Sequence, residues 1–128
     1  MAIKILLVDD SLLARMAVKK YIPKDLECEL YEAADGVQGI KQYKKIKPDI
    51  VFMDLTMPVM NGFAVLGEIT KTDPDAKVIV LSADVQKRTI EKVTDLGAFR
   101  ILRKPPQKDD IQKAVADALA FGESRREV

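Results

Sequence analysis

Histidine is absent from the 128-residue chain. That absence removes imidazole general bases, Ser-His triads and His-ligated metal sites at once. Cysteine occurs once, as Cys28. No internal disulfide can form, paired thiolate ligands are missing, and a reducing, cytoplasmic setting is expected. No apolar run reaches membrane-spanning length, and no charged-apolar-small leader opens the chain. No charge of one sign dominates: the net charge is +1, with acids and bases interspersed, so neither nucleic acid nor membrane is an expected partner. What is left to carry chemistry is carboxylates, hydroxyls, lysine and a hard metal ion. A chain of this length is expected to form one domain around one core.

What is present is an alternation of apolar runs and amphipathic segments. Ile3–Val8, residues 50–53 and residues 77–81 are nearly continuous apolar runs, as in parallel strands covered on both faces. Residues 27–33 are less apolar and read as an edge strand; residues 99–102 form a short fifth strand. Ser11 caps a first helix, with Leu13, Met16, Ala17 and Tyr21 on one side and Pro23 as its stop. Residues 36–47 are helical, with Val37, Ile40 and Tyr43 inward and Lys41, Lys44, Lys45 and Lys47 on a solvated face. Pro58 and Asn61-Gly62 mark the loop after the third strand, and Asn61 or Gly62 begins a helix with Phe63, Leu66 and Ile69 on its stripe. Asp73-Pro74-Asp75 is a turn. Residues 85–96 are a helix of weaker pattern, with Ile90, Val93 and Leu96 inward and Gly97 as terminator. The last helix covers residues 108–121, with Ile111, Ala114, Val115, Ala118 and Leu119 at helical spacing. Gly122 is expected to end it and to leave 123–128 as a frayed tail. The expected fold class is α/β, a parallel sheet with helices on both faces, in a single domain over residues 1–122.

The polar residues gather where the strands end. The first strand ends in Asp9-Asp10, the third in Asp54, the fourth in Ser82, and the fifth just before Lys104. A parallel sheet puts these on one edge, where open α/β sheets bind ligands. Gathered carboxylates repel, and each rises in pKa unless something positive sits among them. A divalent cation answers that need, and a donor set made only of oxygen points to magnesium rather than zinc. Lys104 adds a fixed positive charge and Ser82 a hydroxyl. A nucleophilic carboxylate, a hard cation, a lysine and a hydroxyl suit a phosphoryl group, with three oxygens to hold and an in-line attack to orient. Singly, each residue has a plainer role: Asp9 or Asp10 as a helix cap, Ser82 likewise, Lys104 as a surface charge. Their joint placement argues for a site.

The segments "LLVDD", "DLTMP" followed by "NGF", "VIVLSA", and "GA" seven residues before "KP" resemble the receiver domain of two-component response regulators. The resemblance covers essentially the whole chain, in order. It implies a flavodoxin-like (βα)5 fold with strand order 2-1-3-4-5 and a site at the switch point between the first and third strands. It further implies that Asp54 accepts a phosphoryl group from a partner kinase's phosphohistidine. Asp10, Asp54 and the backbone carbonyl of Thr56 would hold magnesium, with Asp9 acting through water. Lys104 would pair with phosphoryl oxygens across a cis Lys104–Pro105 bond, and Ser82 would swing toward them. Thr56 and Asp84 would flank the site and tune phosphoryl lifetime. Receivers usually carry Tyr or Phe three residues before the lysine; here Ile101 stands there, without a ring to rotate.

The function so implied is a phosphorylation-activated switch, not an enzyme. Its donor would be a sensor histidine kinase or phosphotransfer protein. Its target would be a protein bound through the fourth helix, fifth strand and fifth helix, carrying Lys87, Arg88, Lys92, Arg100 and Arg103. The chain is expected to lack an output domain and to be a monomer or weak dimer. Motility control, as in chemotaxis, is the first pathway expected; sporulation-type relays stay open. The alternatives are a docking receiver that works without phosphorylation and a haloacid-dehalogenase-type phosphatase. The phosphatase would need a second acid where Thr56 stands.

Overall fold

The computed structural model describes residues 2–57 and 60–126; Pro58 lies outside the described residues. The chain runs β1 (Ile3–Val8), α1 (Leu12–Tyr21), β2 (Cys28–Ala33), α2 (Gly36–Ile46), β3 (Ile50–Asp54), α3 (Gly62–Thr72), β4 (Val78–Ser82), α4 (Lys87–Asp95), β5 (Arg100–Arg103) and α5 (Lys108–Arg126). The five strands form one sheet in the order β2-β1-β3-β4-β5, all pairs parallel.

Alternation along the three central strands builds two cores. Leu6, Val8, Val51, Met53, Val78 and Val80 face α2, α3 and α4 through Tyr43, Val65, Leu66, Ile69 and Val93. Ile5, Leu7, Ile50, Phe52, Ile79 and Leu81 face α1 and α5 through Val18, Ile22, Ile111, Ala114, Val115 and Ala118. Each such aliphatic side chain contributes roughly 1.5–3 kcal/mol when fully buried. This two-sided burial is why these strands read as unbroken apolar runs. The helix caps are local: Ser11, Asp35 and Asn61 accept from the amides of Ala14, Gln38 and Ala64. Asp75 N–H closes on Asp73 Oδ1 in the expected turn. Gly97, at φ +97°, terminates α4 in a conformation that suits glycine. Among the described residues no helix is long and apolar enough to cross a membrane.

Several expectations need correction. On α1, Leu13 and Met16 are 78% and 51% exposed, and the buried residue is Val18. The helix has apolar residues around its circumference, and its covered stripe is set by where α5 and the sheet lie. Val37 and Ile90 are also exposed; on α2 Tyr43 faces the core as expected, and Gly36 and Gly39 are buried with it. Strand β5 begins one residue later than expected, and α4 is shorter by two residues at its start and one at its end. Helix α5 does not stop at Gly122 but continues to Arg126. A helical glycine costs only about 1 kcal/mol, too little to end a helix already docked along Ile111, Ala114, Val115 and Ala118.

Candidate functional site

Strand register assembles the site. Val8 pairs with Met53 across β1 and β3, so one step further Asp9 lies beside Asp54. Asp54 pairs with Leu81, which puts Ser82 next. Ser82 pairs with Arg103, and the amide of Lys104 donates to the Ser82 carbonyl at 2.9 Å. The Lys104–Pro105 peptide is cis. Gly62, first residue of α3, donates its amide to the Leu55 carbonyl at 2.8 Å. A Cβ there would lie 2.5 Å from the Asp54 carbonyl oxygen, so only glycine lets α3 press against the end of β3.

One carboxylate oxygen each from Asp9, Asp10 and Asp54 lies within 4.8 Å of the others. Asp9 and Asp54 are buried and Asp10 is exposed. Lys104 Nζ stands 2.9 Å from Asp9 Oδ2 and 3.2 Å from Asp54 Oδ1. Burial raises the Asp54 pKa, the Lys104 ammonium pulls it down and Asp9 pushes it up again, leaving a net rise. The amide of Thr56 also donates to Asp54, while the Thr56 side chain is exposed. For Lys104, burial works against the charged form, but the hydrogen bond and charge of Asp9, followed by those of Asp54, outweigh it and raise its pKa. Three carboxylates against one ammonium leave two negative charges, which one divalent cation would cancel. The donor set is all oxygen, so the residues fit magnesium.

Asp9 is not the helix cap; that is Ser11. The Asp9 carboxylate is divided between Lys104 and the amide of Ser11, 2.9 Å away. Ser82 lies at the site's rim, but its hydroxyl is turned to Asp84: it donates to the Asp84 carbonyl at 2.9 Å and accepts from the Asp84 amide at 3.0 Å. Asp84 in turn accepts from the Gln86 amide and the Thr89 hydroxyl. The Gln86 bond, then the Thr89 bond, hold its carboxyl below the usual range. Ile101 is half-buried and packs on the core beneath α4. On the expected output face Lys87, Arg88 and Arg103 are exposed. Arg100, however, pairs with Asp117 at 2.7 Å, and Lys92 lies over the Phe63 ring. Sequence reasoning passed over Arg15 and Glu32, which meet beside Asp9; no periodicity marks a helix cation and an edge-strand acid as neighbours.

The response regulator receiver domain matches residues 5–116. The chain belongs to that family. This receiver is 40% identical over 112 residues to the chemotaxis protein CheY of Thermotoga maritima, an alignment covering 88% of this chain and 93% of that one. Among solved structures it resembles a CheX–CheY–BeF3–Mg2+ complex from Borrelia burgdorferi, with TM-score 0.85 and 28% identity over 91% of this chain and 89% of that chain. The signal receiver domain of a protein assigned as a Luxo repressor from Vibrio parahaemolyticus superposes with TM-score 0.91 at 27% identity, covering 98% of this chain and 96% of that chain. The receiver is CheY-like, a phosphoacceptor rather than a catalyst, with an acidic site at Asp9, Asp10 and Asp54 faced by Lys104. The phosphatase alternative falls with that assignment.

Proposed function

We propose that this receiver takes a phosphoryl group from a histidine kinase or phosphotransfer protein onto Asp54 and passes the signal on by altered protein binding. The observation that carries the reading is the contact of Lys104 with both Asp9 and Asp54, with Asp10 alongside. An Asp54 carboxylate oxygen attacks phosphorus in line. An O–P bond forms, the donor's N–P bond breaks, and the electron pair leaves with the imidazole nitrogen. Asp9, Asp10 and Asp54, with the Thr56 carbonyl, would hold magnesium, which when bound offsets the charge of the carboxylates and of the arriving phosphoryl oxygens. The Borrelia complex, which contains magnesium and beryllofluoride, supports that choice of ion.

The new group adds roughly −1.5 to −2 charges and three acceptor oxygens. Lys104 moves its contacts from the carboxylates to these oxygens. Ser82 leaves Asp84 for them, giving up the two hydrogen bonds that hold the loop before α4. With Ile101 in the usual aromatic position, that loop is the readout. The target binds over α4, β5 and α5. A coupling of about 1–3 kcal/mol changes such binding about 5–150-fold. The test is incubation with magnesium and acetyl phosphate, read by intact mass. One base-labile phosphoryl adduct is expected, and it is absent in Asp54→Asn. A wild-type chain that stays unmodified overturns the reading.

A further inference from the structure

Arg15 reaches the site from behind. It lies in the first turn of α1, its own amide bonded to the Ser11 carbonyl. Its side chain is only 14% exposed, and the guanidinium reaches two ways. Nη1 donates to the backbone carbonyl of Asp9 at 2.5 Å, and Nε donates to Glu32 Oε1 at 2.9 Å. Lys19 donates to the other Glu32 oxygen at 3.1 Å. One planar fork therefore ties α1 to the ends of β1 and β2, a geometry an ammonium does not reproduce.

Asp9 is fixed at every polar atom. Its amide bonds to the Ala33 carbonyl, its carbonyl to Arg15, and its two carboxylate oxygens to the Ser11 amide and Lys104. Asp10 has no such anchors: its side chain is exposed, and among the described residues its carboxylate makes no hydrogen bond or ion pair. What aims it toward Asp9 and Asp54 is the peptide joining it to Asp9, and Arg15 holds that peptide by its oxygen.

We infer that Arg15, anchored by Glu32, is a positioning residue for the cation site: it fixes the Asp9–Asp10 peptide so that Asp10 stays close to the other two carboxylates. The inference rests on the magnesium reading given above. Two effects of Arg15 oppose each other. Its charge repels a cation, while its hydrogen bond orders a ligand. Glu32 is shared between the guanidinium and Lys19 and offsets part of their charge, and the guanidinium bonds the Asp9 carbonyl and not the three carboxylates, so the ordering effect is the larger. The sign of a substitution separates the two: loss of a bare charge tightens magnesium binding, and loss of a positioning group weakens it. Groups behind metal ligands commonly change affinity 10–100-fold.

The test is titration of magnesium into wild type and Arg15→Met, followed by the backbone amide NMR shifts of Asp10 and Asp54 at a temperature where both chains are folded. Arg15→Met is expected to raise the magnesium Kd about tenfold. Wild-type or tighter affinity in Arg15→Met overturns the inference, even if its melting temperature falls, and leaves the magnesium reading standing. A wild-type chain that binds no magnesium overturns both. Should Arg15→Met not fold, Arg15→Lys decides the matter, because it keeps the charge and loses the fork; wild-type affinity there overturns the inference.

Discussion

Lys104 Nζ lies 2.9 Å from Asp9 Oδ2, although 95 residues separate the two in the chain. The pair joins the loop after the edge strand β5 to the end of the central strand β1. It also gives two buried carboxylates their counter-charge.

Replacing Lys104 with Met removes that counter-charge from Asp9 and Asp54. The magnesium-free chain should lose about 2 kcal/mol of unfolding free energy, the usual cost of stranding a buried charged partner. Magnesium should then bind more tightly, because a competing positive charge is gone. Urea unfolding with and without magnesium measures both effects: a lower baseline, and a larger gain on adding the ion.

Asp10→Asn should act in the opposite direction. It removes one of three neighbouring negative charges, so the magnesium-free chain should gain up to about 1 kcal/mol. The stabilisation by magnesium should shrink at the same time. Thermal melts across a magnesium series check this; a variant that loses baseline stability would contradict the repulsion argument.

Gly62→Ala places a methyl group against the Asp54 carbonyl and the Leu55 Cα. Backbone must yield, at a cost of roughly 1–3 kcal/mol. The strain falls on the peptide that follows Asp54, so phosphoryl uptake from acetyl phosphate should, on the proposed function, slow in the folded variant. Denaturant titration and timed intact-mass measurements separate the two losses.

The pKa of Glu32 is lowered by its hydrogen bonds from Arg15 and then Lys19. A lowered folded-state value gives stability that is present above the ordinary glutamate value of 4.5 and lost as pH falls through the folded value. Because the ion pair is about one-third exposed on the Glu32 side, the contribution should be at most about 1 kcal/mol. Glu32→Gln should therefore lose less stability than wild type as pH drops below 4.5. Asp54 works the other way: its raised value means that its charge disfavours the fold and that acid relieves the penalty. Acid unfolding should accordingly be compared in an Asp54→Asn background.

The parts of the fold legible in the sequence are those where one physical demand dominates. β1, β3 and β4 are buried on both faces, so their composition shows them, and the polar residues that follow can only sit at the rim. Asp9, Asp10, Asp54, Ser82 and Lys104 are therefore brought together as the strand ends suggest. The face of α1 was not legible, because Leu12, Leu13, Met16 and Val18 offer apolar side chains in several directions and only tertiary packing selects Val18. The run of α5 through Gly122 was hidden for a related reason: docking of its earlier turns outweighs a local breaker. Nor could sequence show Ser82 closed on Asp84, or Arg15 meeting Glu32, since both depend on loop and strand placement.

Among the described residues, the only ammonium that touches both buried acids comes from the segment just after the edge strand, so the charges balance only when that strand is in place. During synthesis Asp9, Asp10 and Asp54 leave the ribosome well before Lys104 does. A nascent or C-terminally clipped chain would hold mutually repelling acids with no lysine between them. Charge balance at the acidic site is thus tied to completion of the sheet, because the lysine that supplies it follows the strand at the sheet's edge.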